Sequence, residues 1–588
     1  MAIAHVKSRL PWIGSTIKFG KNPDAFIADS QQKYGDTFSA TLAGKHIVFI
    51  TNGHDFAEVF RQAKKLSAEN SNPEIGSLIF GFDAKRYLAV QHELEKITKK
   101  HMQGQALEPL GIKMQAELET SLLNIASQNN NKDLAEFMYE TLFPAGSKAL
   151  FGAAAESADM LKHFLNLDKP LPLVLAGVPT KLMPSFTKAQ KYFAQWMSQA
   201  QSDQSEVLDE RHKVWEREAT DAFQRGSIDA SILWAAQANT IPSAIWAIYY
   251  VSKDAKIAAL VKDELQQVIS KAEADPNCQR SSNGFPVLTA AMLDEMEILD
   301  SCIWETLRLT TSTIITREAL APVSVNLHDG NTLDLGFGEQ VLLYTRAMHL
   351  DEETYTDAHE FRHDRFIKSQ ALKYNKNGET LKYPLLPFGG GQSRCPGMFF
   401  AINEFKILLA LLFQWFDFEI VNQSPAQLDY SRTGLGSMPP KKAIKIHYKR
   451  CQRNPNTTTA NNFVFPEIGQ FKFGLIDKNE IYKNKKWVVD NTKYASNMTV
   501  ISSLDTDCDY IEDNAGDIVI GVFDDEANCR AVNPIELLAE DNLYGFLTVG
   551  GANITDLNFS IMDTKTGRSY DLKEETVFKS NEIFQNYH

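Results

Sequence analysis

The chain has 588 residues, of which 44% are hydrophobic and 23% charged, a composition typical of a folded protein with more than one domain. Its formal net charge is −14, most of it contributed after Cys451, which disfavours a nucleic-acid partner because such partners normally require a basic face. The six cysteines have no CxxC spacing, so the sequence predicts neither a zinc ribbon nor a disulfide framework, and a reducing compartment fits best.

The first segment, MAIAHVKSRLPWIG, has no apolar core of signal-peptide length before its first proline. No stretch of the chain reaches the roughly 18 to 20 apolar residues that are needed to span a bilayer. We therefore expect a cytoplasmic protein, soluble or peripherally associated with a membrane, with no signal peptide or transmembrane helix.

Residues 1–450 have a mostly helical pattern. Residues 110–126 and 260–272 are amphipathic with helical spacing, whereas residues 41–50 and 340–344 are short and strand-like. The pattern predicts a large, mainly α domain with small β-sheets.

The segment LWAAQANTIPSAIWAIYY, residues 233–250, is an apolar helix interrupted by polar residues. Pro242 has no N–H to donate to the carbonyl of Ala238, so the helix should be kinked there. Two interpretations of Thr240 follow. Its hydroxyl either faces a groove beside a reaction centre or bonds back to a carbonyl four residues earlier in an ordinary bent helix.

Glu305 and Arg308, in CIWETLRL, stand at positions i and i+3 and share one face of a predicted helix, where they can form a salt bridge. The segment FRHDRF, residues 361–366, follows before the cysteine-containing loop. By itself an ExxR pair is usually an ion pair at the surface.

The stretch PFGGGQSRCPGMFFA, residues 387–401, places one cysteine among glycines. A catalytic nucleophile would need a neighbouring base and a disulfide would need a partner, but a thiolate ligand of a haem iron needs neither. Glycines would let the backbone pass close to a porphyrin and direct amide donors at the sulfur. The alternative is a buried cysteine in a glycine-rich turn.

The wider pattern favours the ligand, because FGGGQSRCPG resembles the haem-binding signature of the cytochrome P-450 family. The resemblance implies a mainly α cytochrome P-450 fold over residues 1–450, with haem b as cofactor and Cys395 as its axial thiolate and metal ligand. It also implies that further residues contact the haem: Phe388, Gly389, Gly391, Arg394 and Gly397.

The resemblance assigns roles to residues outside the loop. It implies that Arg317 holds a haem propionate and that Arg365 joins Glu305 and Arg308 in a buried structural triad. It implies a catalytic role for Thr240 in proton delivery, with Asn239 beside it.

The sequence departs from the family pattern at two positions. Ser393 stands where most members have Arg or His, and Asn239 stands where an acid is common. The first departure puts one propionate contact in doubt, and the second leaves the proton path to water, Thr240 and the Ala238 carbonyl. No tryptophan-containing haem contact precedes Met102, so Lys99, Lys100 and His101 are the candidates for it.

The segments WAAQANTIP, LKYPLLPFGGGQSRCPG and DYSRTGLGSMPP resemble the branch that contains sterol 7α-hydroxylases, oxysterol 7α-hydroxylases, sterol 12α-hydroxylases and prostacyclin synthase. A small lipophilic substrate is implied. Residues 76–83 and 171–184 are candidates for lining its pocket, and 171–184 also for a peripheral membrane contact. Since the chain has no flavin, dinucleotide or iron–sulfur signature, we expect a separate reductase or ferredoxin.

Residues 451–465 are polar and predict a linker, and residues 466–588 predict an acidic, all-β, sandwich-like domain because DIVIGVF and similar runs alternate with turn signals. The acidic run DTDCDYIEDNAGD lacks the glycine and the final acid of a calcium loop, so we interpret it as a turn. The partner of this domain is not indicated.

Three functions remain open at this point. The first is a haem-thiolate monooxygenase that inserts one oxygen atom into a C–H bond of a sterol-like or other lipid. The second is an isomerase that rearranges a lipid peroxide without dioxygen or reductase. The third is a non-catalytic haem or ligand-binding protein with a partner-binding tail.

Overall fold

The computed structural model describes residues 3–8, 12–68, 71–126, 131–155, 158–199, 203–218, 221–370 and 373–451, and six strands between residues 497 and 572. Contacts within the chain divide it into two compact units, residues 1–452 and 453–588. The predicted linker, apart from Cys451, and the acidic run at 505–517 lie outside the described residues.

The first unit is mainly helical. Its α-helices are α1 (Thr16–Lys21), α2 (Pro23–Tyr34), α3 (Gly53–Arg61), α4 (Ser71–Phe80), α5 (Ala84–His101), α6 (Glu108–Ala126), α7 (Leu134–Phe151), α8 (Ala158–Asp168), α9 (Leu171–Leu175), α10 (Pro184–Trp196), α11 (Glu206–Arg217), α12 (Ala222–Gln237), α13 (Thr240–Lys253), α14 (Ala255–Glu273), α15 (Ala290–Glu295), α16 (Glu297–Thr310), α17 (Thr345–His349) and α18 (Met398–Trp415).

Short strands complete this unit: β1 (Thr37–Leu42), β2 (Lys45–Ile50), β3 (Leu66–Ser67), β4 (Asn131–Asp133), β5 (Thr311–Ser312), β6 (Ile314–Ala319), β7 (Val323–Asn326), β8 (Thr332–Leu335), β9 (Gln340–Tyr344), β10 (Asn375–Lys376), β11 (Glu379–Thr380), β12 (Phe416–Ile420), β13 (Gly436–Ser437) and β14 (Lys445–Arg450). The largest sheet has the order β1-β2-β9-β6-β3, in which only β2 and β9 are parallel. The predicted architecture of this unit, mainly α with small sheets, is confirmed.

The helical core forms where helices are apolar on all sides. In α13 and α18 most residues are buried, including Trp246 and the run from Phe405 to Phe413. Such helices belong to the interior of a large domain. Among the described residues, α18 is the one helix long and apolar enough to cross a membrane, but 67% of its apolar window is buried inside the fold, as in a core helix.

A second apolar cluster lies around the five-stranded sheet. Val48, Ile50, Val341 and Leu343, from the parallel pair β2 and β9, pack there with residues of α3, including Phe56. Because β6 pairs with β9 in the same sheet, this cluster supports the strand that carries Arg317.

The described part of the second unit consists of six strands: β15 (Asn497–Leu504), β16 (Ile518–Phe523), β17 (Cys529–Leu538), β18 (Asn542–Gly550), β19 (Asn558–Asp563) and β20 (Ser569–Leu572). They form one antiparallel sheet in the order β15-β18-β17-β16-β19-β20. The expectation that residues 466–588 form a sandwich-like all-β domain remains a prediction.

Candidate active site around Cys395

The loop before α18 is folded back on its cysteine. The Cys395 amide donates to the Phe388 carbonyl at 2.9 Å, which closes the loop, and the Gly397 amide donates to the Cys395 sulfur. Burial raises the pKa of the Cys395 thiol, whereas the bond from Gly397 lowers it. The residue as a whole is nevertheless exposed. The amide donor from Gly397 is a contact that would stabilise a thiolate ligand once a metal is bound.

The glycines of this loop serve different purposes. Gly389 and Gly391 have φ angles of 72° and 65°, which disfavour any residue with a Cβ. A Cβ on Gly390 or Gly391 would lie 2.5 or 2.9 Å from the ring of Phe60. These two positions therefore have no room for a side chain, because the backbone there packs against Phe60 of α3.

Gly397 differs from those glycines. Its φ is not in the left-handed region, and an added Cβ would meet only the Met102 sulfur at 3.8 Å and the Cys395 sulfur at 4.0 Å. Packing against the described residues therefore does not explain this glycine.

Arg317, on β6, has a buried guanidinium group. Its side chain donates to the carbonyls of Thr316, at 2.8 Å, and Gly390, at 3.1 Å, and no carboxylate among the described residues pairs with it. Burial alone lowers its pKa. A buried cation held by carbonyls of the cysteine loop is suited to an anionic ligand. Arg394, by contrast, is exposed.

The long helix predicted through residues 233–250 is broken. Helix α12 ends at Gln237 and α13 begins at Thr240, so the break precedes Pro242 by a few residues. The Thr240 hydroxyl donates to the Ala236 carbonyl at 2.7 Å, and the Ser243 hydroxyl to the Asn239 carbonyl at 2.8 Å. The Thr240 hydroxyl therefore bonds back to a carbonyl four residues earlier, as in the second interpretation. It does so at the edge of a break and not inside a continuous helix.

Asn239 helps to hold this break. Its side-chain oxygen accepts the Ser437 amide at 2.9 Å, and Gly436 makes room, since a Cβ there would lie 2.2 Å from the same oxygen. Both partners belong to β13, in the segment DYSRTGLGSMPP. The Asn239 oxygen is therefore occupied by a structural contact.

Glu305, Arg308 and Arg365 form a buried ion-pair network. Arg308 donates twice to Glu305, at 2.7 Å each, and Arg365 donates to both oxygens at 3.0 and 3.1 Å. Both guanidinium groups stack on the ring of Tyr355, at 4.9 and 5.7 Å from its centroid.

Backbone carbonyls accept from further donors of the network. Arg308 also donates to the carbonyls of His349 and Ala358, and Arg365 to those of Thr356 and Asp357. Such pairing is what a buried charge requires.

His349, which the sequence does not single out, connects this network to the cysteine loop. Its carbonyl accepts from Arg308, and its ring Nε2 accepts the Leu386 amide at 3.0 Å, two residues before Phe388. Burial, and then Arg308 and Arg346, lower the pKa of His349 to about 3, so the ring is neutral. The Thr313 hydroxyl fixes the same loop by donating to the Pro387 carbonyl at 2.7 Å.

The candidates for a further cofactor contact lie at the end of α5. Lys100 and His101 are both directed to Glu210, at 2.5 and 3.2 Å, and Lys99 lies 4.0 Å from Glu95. Each of the three residues has an acidic neighbour, whereas Arg317 has none among the described residues.

Comparison with known proteins identifies the family. The family model "Cytochrome P450" matches residues 5–446. The chain belongs to the cytochrome P450 family. It is 30% identical to cytochrome P450 7A1 of Oryctolagus cuniculus, over 75% of this chain and 92% of that protein.

Two further relatives define the branch. The P450 is 29% identical to the cholesterol 7-alpha-monooxygenase of Cricetulus griseus and 28% identical to the prostacyclin synthase of Rattus norvegicus, in both cases over 75% of this chain and 92% of the relative. The predicted branch is confirmed, and the protein is an oxygen-incorporating monooxygenase of the P450 type.

The P450 binds haem through a cysteine thiolate, and its residues fit that group. The Cys395 sulfur accepts an amide N–H, and Arg317 provides a buried cation that no carboxylate among the described residues pairs with. When bound, the haem supplies the redox chemistry that activates dioxygen.

Proposed function

We propose that this P450 inserts one atom of dioxygen into a C–H bond of a sterol-like or other lipid substrate, with electrons from a separate reductase or ferredoxin. The similarity to a cholesterol 7-alpha-monooxygenase over 92% of that protein carries the substrate class. No arginine can be assigned to carboxylate recognition in residues 76–83 or 171–184, which favours a neutral molecule over a fatty acid.

Cys395 is assigned as the axial thiolate ligand and Arg317 as the partner of a haem propionate. Arg317 supports this assignment because a buried guanidinium is stabilised by an anion that the described protein residues do not supply. The remaining residues assigned to the haem-facing loop are Phe388, Gly389, Gly391, Arg394 and Gly397.

Thr240 is assigned as the residue that holds and passes a proton near the reaction centre. Its hydroxyl lies at the break between α12 and α13, where regular helical bonding stops. Asn239, whose oxygen accepts from Ser437, is assigned to keeping the break open, and its catalytic role is limited to positioning Thr240.

Glu305, Arg308 and Arg365 are assigned a structural role. These three residues form ion pairs with one another and hydrogen bonds to backbone carbonyls, so we assign none of them a part in the reaction. Through His349 the network instead positions the loop that carries the thiolate.

The electron donor is proposed to dock beside the end of α5. The last turn of this helix is basic, and Met102, which follows it, lies against Gly397 of the cysteine loop. The side chains of Lys99 and Lys100 are exposed there, and an acidic partner would compete with Glu95 and Glu210 for them. Such an association weakens with salt.

The substrate is proposed to enter near residues 171–184. Leu173, Leu175 and Leu182 are exposed there, with Leu182 72% exposed. Exposed apolar side chains on adjacent short helices are suited to peripheral contact with a membrane that holds a lipid substrate.

An isomerase is the second candidate, because the relatives include a prostacyclin synthase. Thr240 disfavours it, since the rearrangement of a peroxide has no evident need for a proton relay. The two functions also differ in their requirement for electrons.

The experiment is to incubate the purified holoenzyme with a panel of sterols and lipid peroxides, with and without a surrogate reductase and dioxygen, and to determine product masses. An oxygenated product that requires electrons supports the monooxygenase and names the substrate class. An isomer formed from a peroxide without electrons would overturn the proposal in favour of the isomerase.

A further inference from the structure

Three side chains with metal-ligand chemistry, from separate parts of the chain, come together at the start of α3. They are His54, in the first turn of α3, His328, in the turn between β7 and β8, and Glu379, on β11. One donor atom of each lies within 4.8 Å of the other two. Two imidazole nitrogens and a carboxylate oxygen form a ligand set that suits zinc and neighbouring transition-metal ions.

The hydrogen bonds of His54 prepare its ring to act as a ligand. Nε2 lies 2.8 Å from the Lys376 carbonyl oxygen, which can only accept, so in the neutral ring Nε2 carries the proton and Nδ1 holds the lone pair. Metal-binding histidines commonly donate their second ring nitrogen to a backbone carbonyl in this way. The Asn52 side chain accepts the His54 amide at 3.0 Å and fixes the residue at the start of the helix.

His328 is held next to His54 by a buried carboxylate. Asp55, which is 3% exposed, accepts the His328 amide at 2.6 Å and so fixes the β7–β8 turn against α3. The two imidazole rings stack, with centroids 4.3 Å apart and planes at 17°. Because the rings are nearly parallel, one ion can meet both lone pairs only after a ring turns about its χ2 bond. His328 is exposed and lies in a turn, so its ring is able to do this.

Glu379 is the acidic member of the cluster, and no cation among the described residues pairs with it. Lys376, which faces it across the β10–β11 hairpin, is directed to Asp351 and Glu353, at 3.1 and 3.8 Å. The Glu379 side chain is exposed on a strand of two residues. Its carboxylate is therefore available to a ligand from outside the chain.

The charge around the cluster also favours a cation. Asp36 and Asp329 both repel the carboxylate of Asp55, and in the part of the chain that the structure describes no lysine or arginine pairs with any of these three. Together with Glu379 they make the start of α3 locally negative. A divalent cation offsets such repulsion.

The dimensions of the cluster fit a zinc ion. Ligand atoms that lie roughly 2.0–2.2 Å from a tetrahedral zinc ion are about 3.4 Å from one another. The separations here are at most 4.8 Å, and rotation of the exposed His328 and Glu379 side chains is able to close the difference.

We propose that His54, His328 and Glu379 bind a zinc ion. Water completes the coordination, as at other zinc sites with three protein ligands. The ion cross-links α3, the β7–β8 turn and the β10–β11 hairpin, and α3 also carries Phe60, which packs against two glycines of the cysteine loop. Zinc thus stabilises the segment that supports this loop. The inference does not rest on the proposed function, since the ion has no part in the reaction.

The first test is a calorimetric titration of the untagged holoenzyme with zinc chloride. We expect the strongest site to be weakened at least about tenfold in His328→Asn and in Glu379→Gln, because even residues behind the ligands of a metal contribute that much to affinity. His54 is left intact, since its bond to Lys376 also holds the hairpin.

The matched controls for the titration are His359→Asn and Glu419→Gln, which change exposed residues outside the cluster. Both should bind zinc as wild type does. Equal affinity in the cluster variants and the controls would overturn the proposal.

The second test is X-ray absorption at the zinc edge of the zinc-loaded holoenzyme, which the iron of the haem does not disturb because iron absorbs at a different energy. We expect scattering from two imidazoles and only nitrogen or oxygen ligands, at about 2.0–2.2 Å. Sulfur at about 2.3 Å would place the ion on a cysteine and overturn the proposal. A spectrum without imidazole scattering would overturn it as well.

The third test is thermal unfolding with and without zinc chloride. Zinc should raise the melting temperature of wild type and of both controls, but not that of His328→Asn or Glu379→Gln. Because both substitutions change exposed side chains, the variants should unfold like wild type when zinc is left out, which separates loss of the site from misfolding. An equal rise in the cluster variants, or no rise in wild type, would overturn the cross-link.

Discussion

Two buried polar regions of the P450 unit differ in how their charges are satisfied. Around Glu305, Arg308 and Arg365 each donate both to the carboxylate and to backbone carbonyls of the protein. Around the cysteine loop and the helix break, Arg317 has no carboxylate partner, and Gln237 and Glu404 have no hydrogen-bond partner, among the described residues.

This difference indicates that the polar groups of the first region stabilise the fold, whereas those of the second are available to bind a ligand, a water or a proton. A saturated network stabilises one arrangement and leaves nothing to react, whereas unpaired buried groups are destabilising unless a ligand, a water or a proton completes them. We therefore expect substitutions in the first region to reduce the stability of the fold and those in the second to affect ligand binding more than stability.

The largest expected effect is that of Glu305→Gln. It leaves two buried guanidinium groups without their shared carboxylate, which should cost about 3–5 kcal/mol of unfolding free energy. The control is Glu58→Gln, in a solvent-exposed i,i+3 pair with Arg61, which should cost about 0–1 kcal/mol. Denaturant unfolding measures both, and equal losses in the two variants would remove the distinction between the regions.

The next effect is a pH dependence through His349. Its pKa is lowered to about 3 in the fold, below the ordinary value of 6.5, so its contribution to stability is complete above pH 6.5 and is lost as the pH falls toward 3. At pH 5 the loss should be about 2 kcal/mol relative to pH 7. Unfolding of wild type and His349→Gln at both pH values isolates this residue. A variant with the same pH dependence as wild type would contradict the assignment of a neutral, buried His349.

A smaller effect distinguishes glycines required by packing from one required by the ligand. Gly391→Ala should destabilise the haem-free protein by about 1–3 kcal/mol, because its φ is 65° and its Cβ would contact Phe60. Gly397→Ala should leave the haem-free protein nearly unchanged and weaken haem binding. Thermal unfolding and haem titration of both variants are the measurements. Equal destabilisation of the haem-free protein would contradict the two roles.

The smallest effect on stability is expected for Arg317→Leu. Because burial lowers the pKa of this guanidinium and no carboxylate among the described residues pairs with it, its removal should leave the haem-free protein as stable as wild type or slightly more stable. Its removal should also reduce haem retention. Haem-free stability and the haem dissociation rate are measured side by side. A marked loss of stability with unchanged haem retention would place Arg317 in the structural region instead.

The sequence was sufficient for residues within recognisable motifs. Spacing alone paired Glu305 with Arg308, and resemblance to a family singled out Cys395, Arg317 and Arg365. It also predicted an interruption near Pro242, although the structure ends the helix earlier, at Gln237, since the Ser437 amide bonds Asn239 from a strand far away in sequence.

Long-range contacts could not be predicted in this way. Neither the meeting of Gln237 with Glu404 nor the packing of Phe60 against two loop glycines leaves a local signal, because the partners are separated by more than a hundred residues. His349 likewise gains its position only through Arg308 and Leu386. The sheet of the second unit is described in part, and its predicted sandwich character remains a prediction.

The most direct test of the account is the absorption spectrum of the haem-loaded protein compared with that of Cys395→Ser, with Cys278→Ser as the matched control. The account predicts a thiolate-type haem spectrum in wild type and Cys278→Ser, and its loss in Cys395→Ser while the far-ultraviolet circular dichroism is unchanged. A Cys395→Ser protein that kept the thiolate-type spectrum would contradict the assignment of Cys395 as the haem ligand.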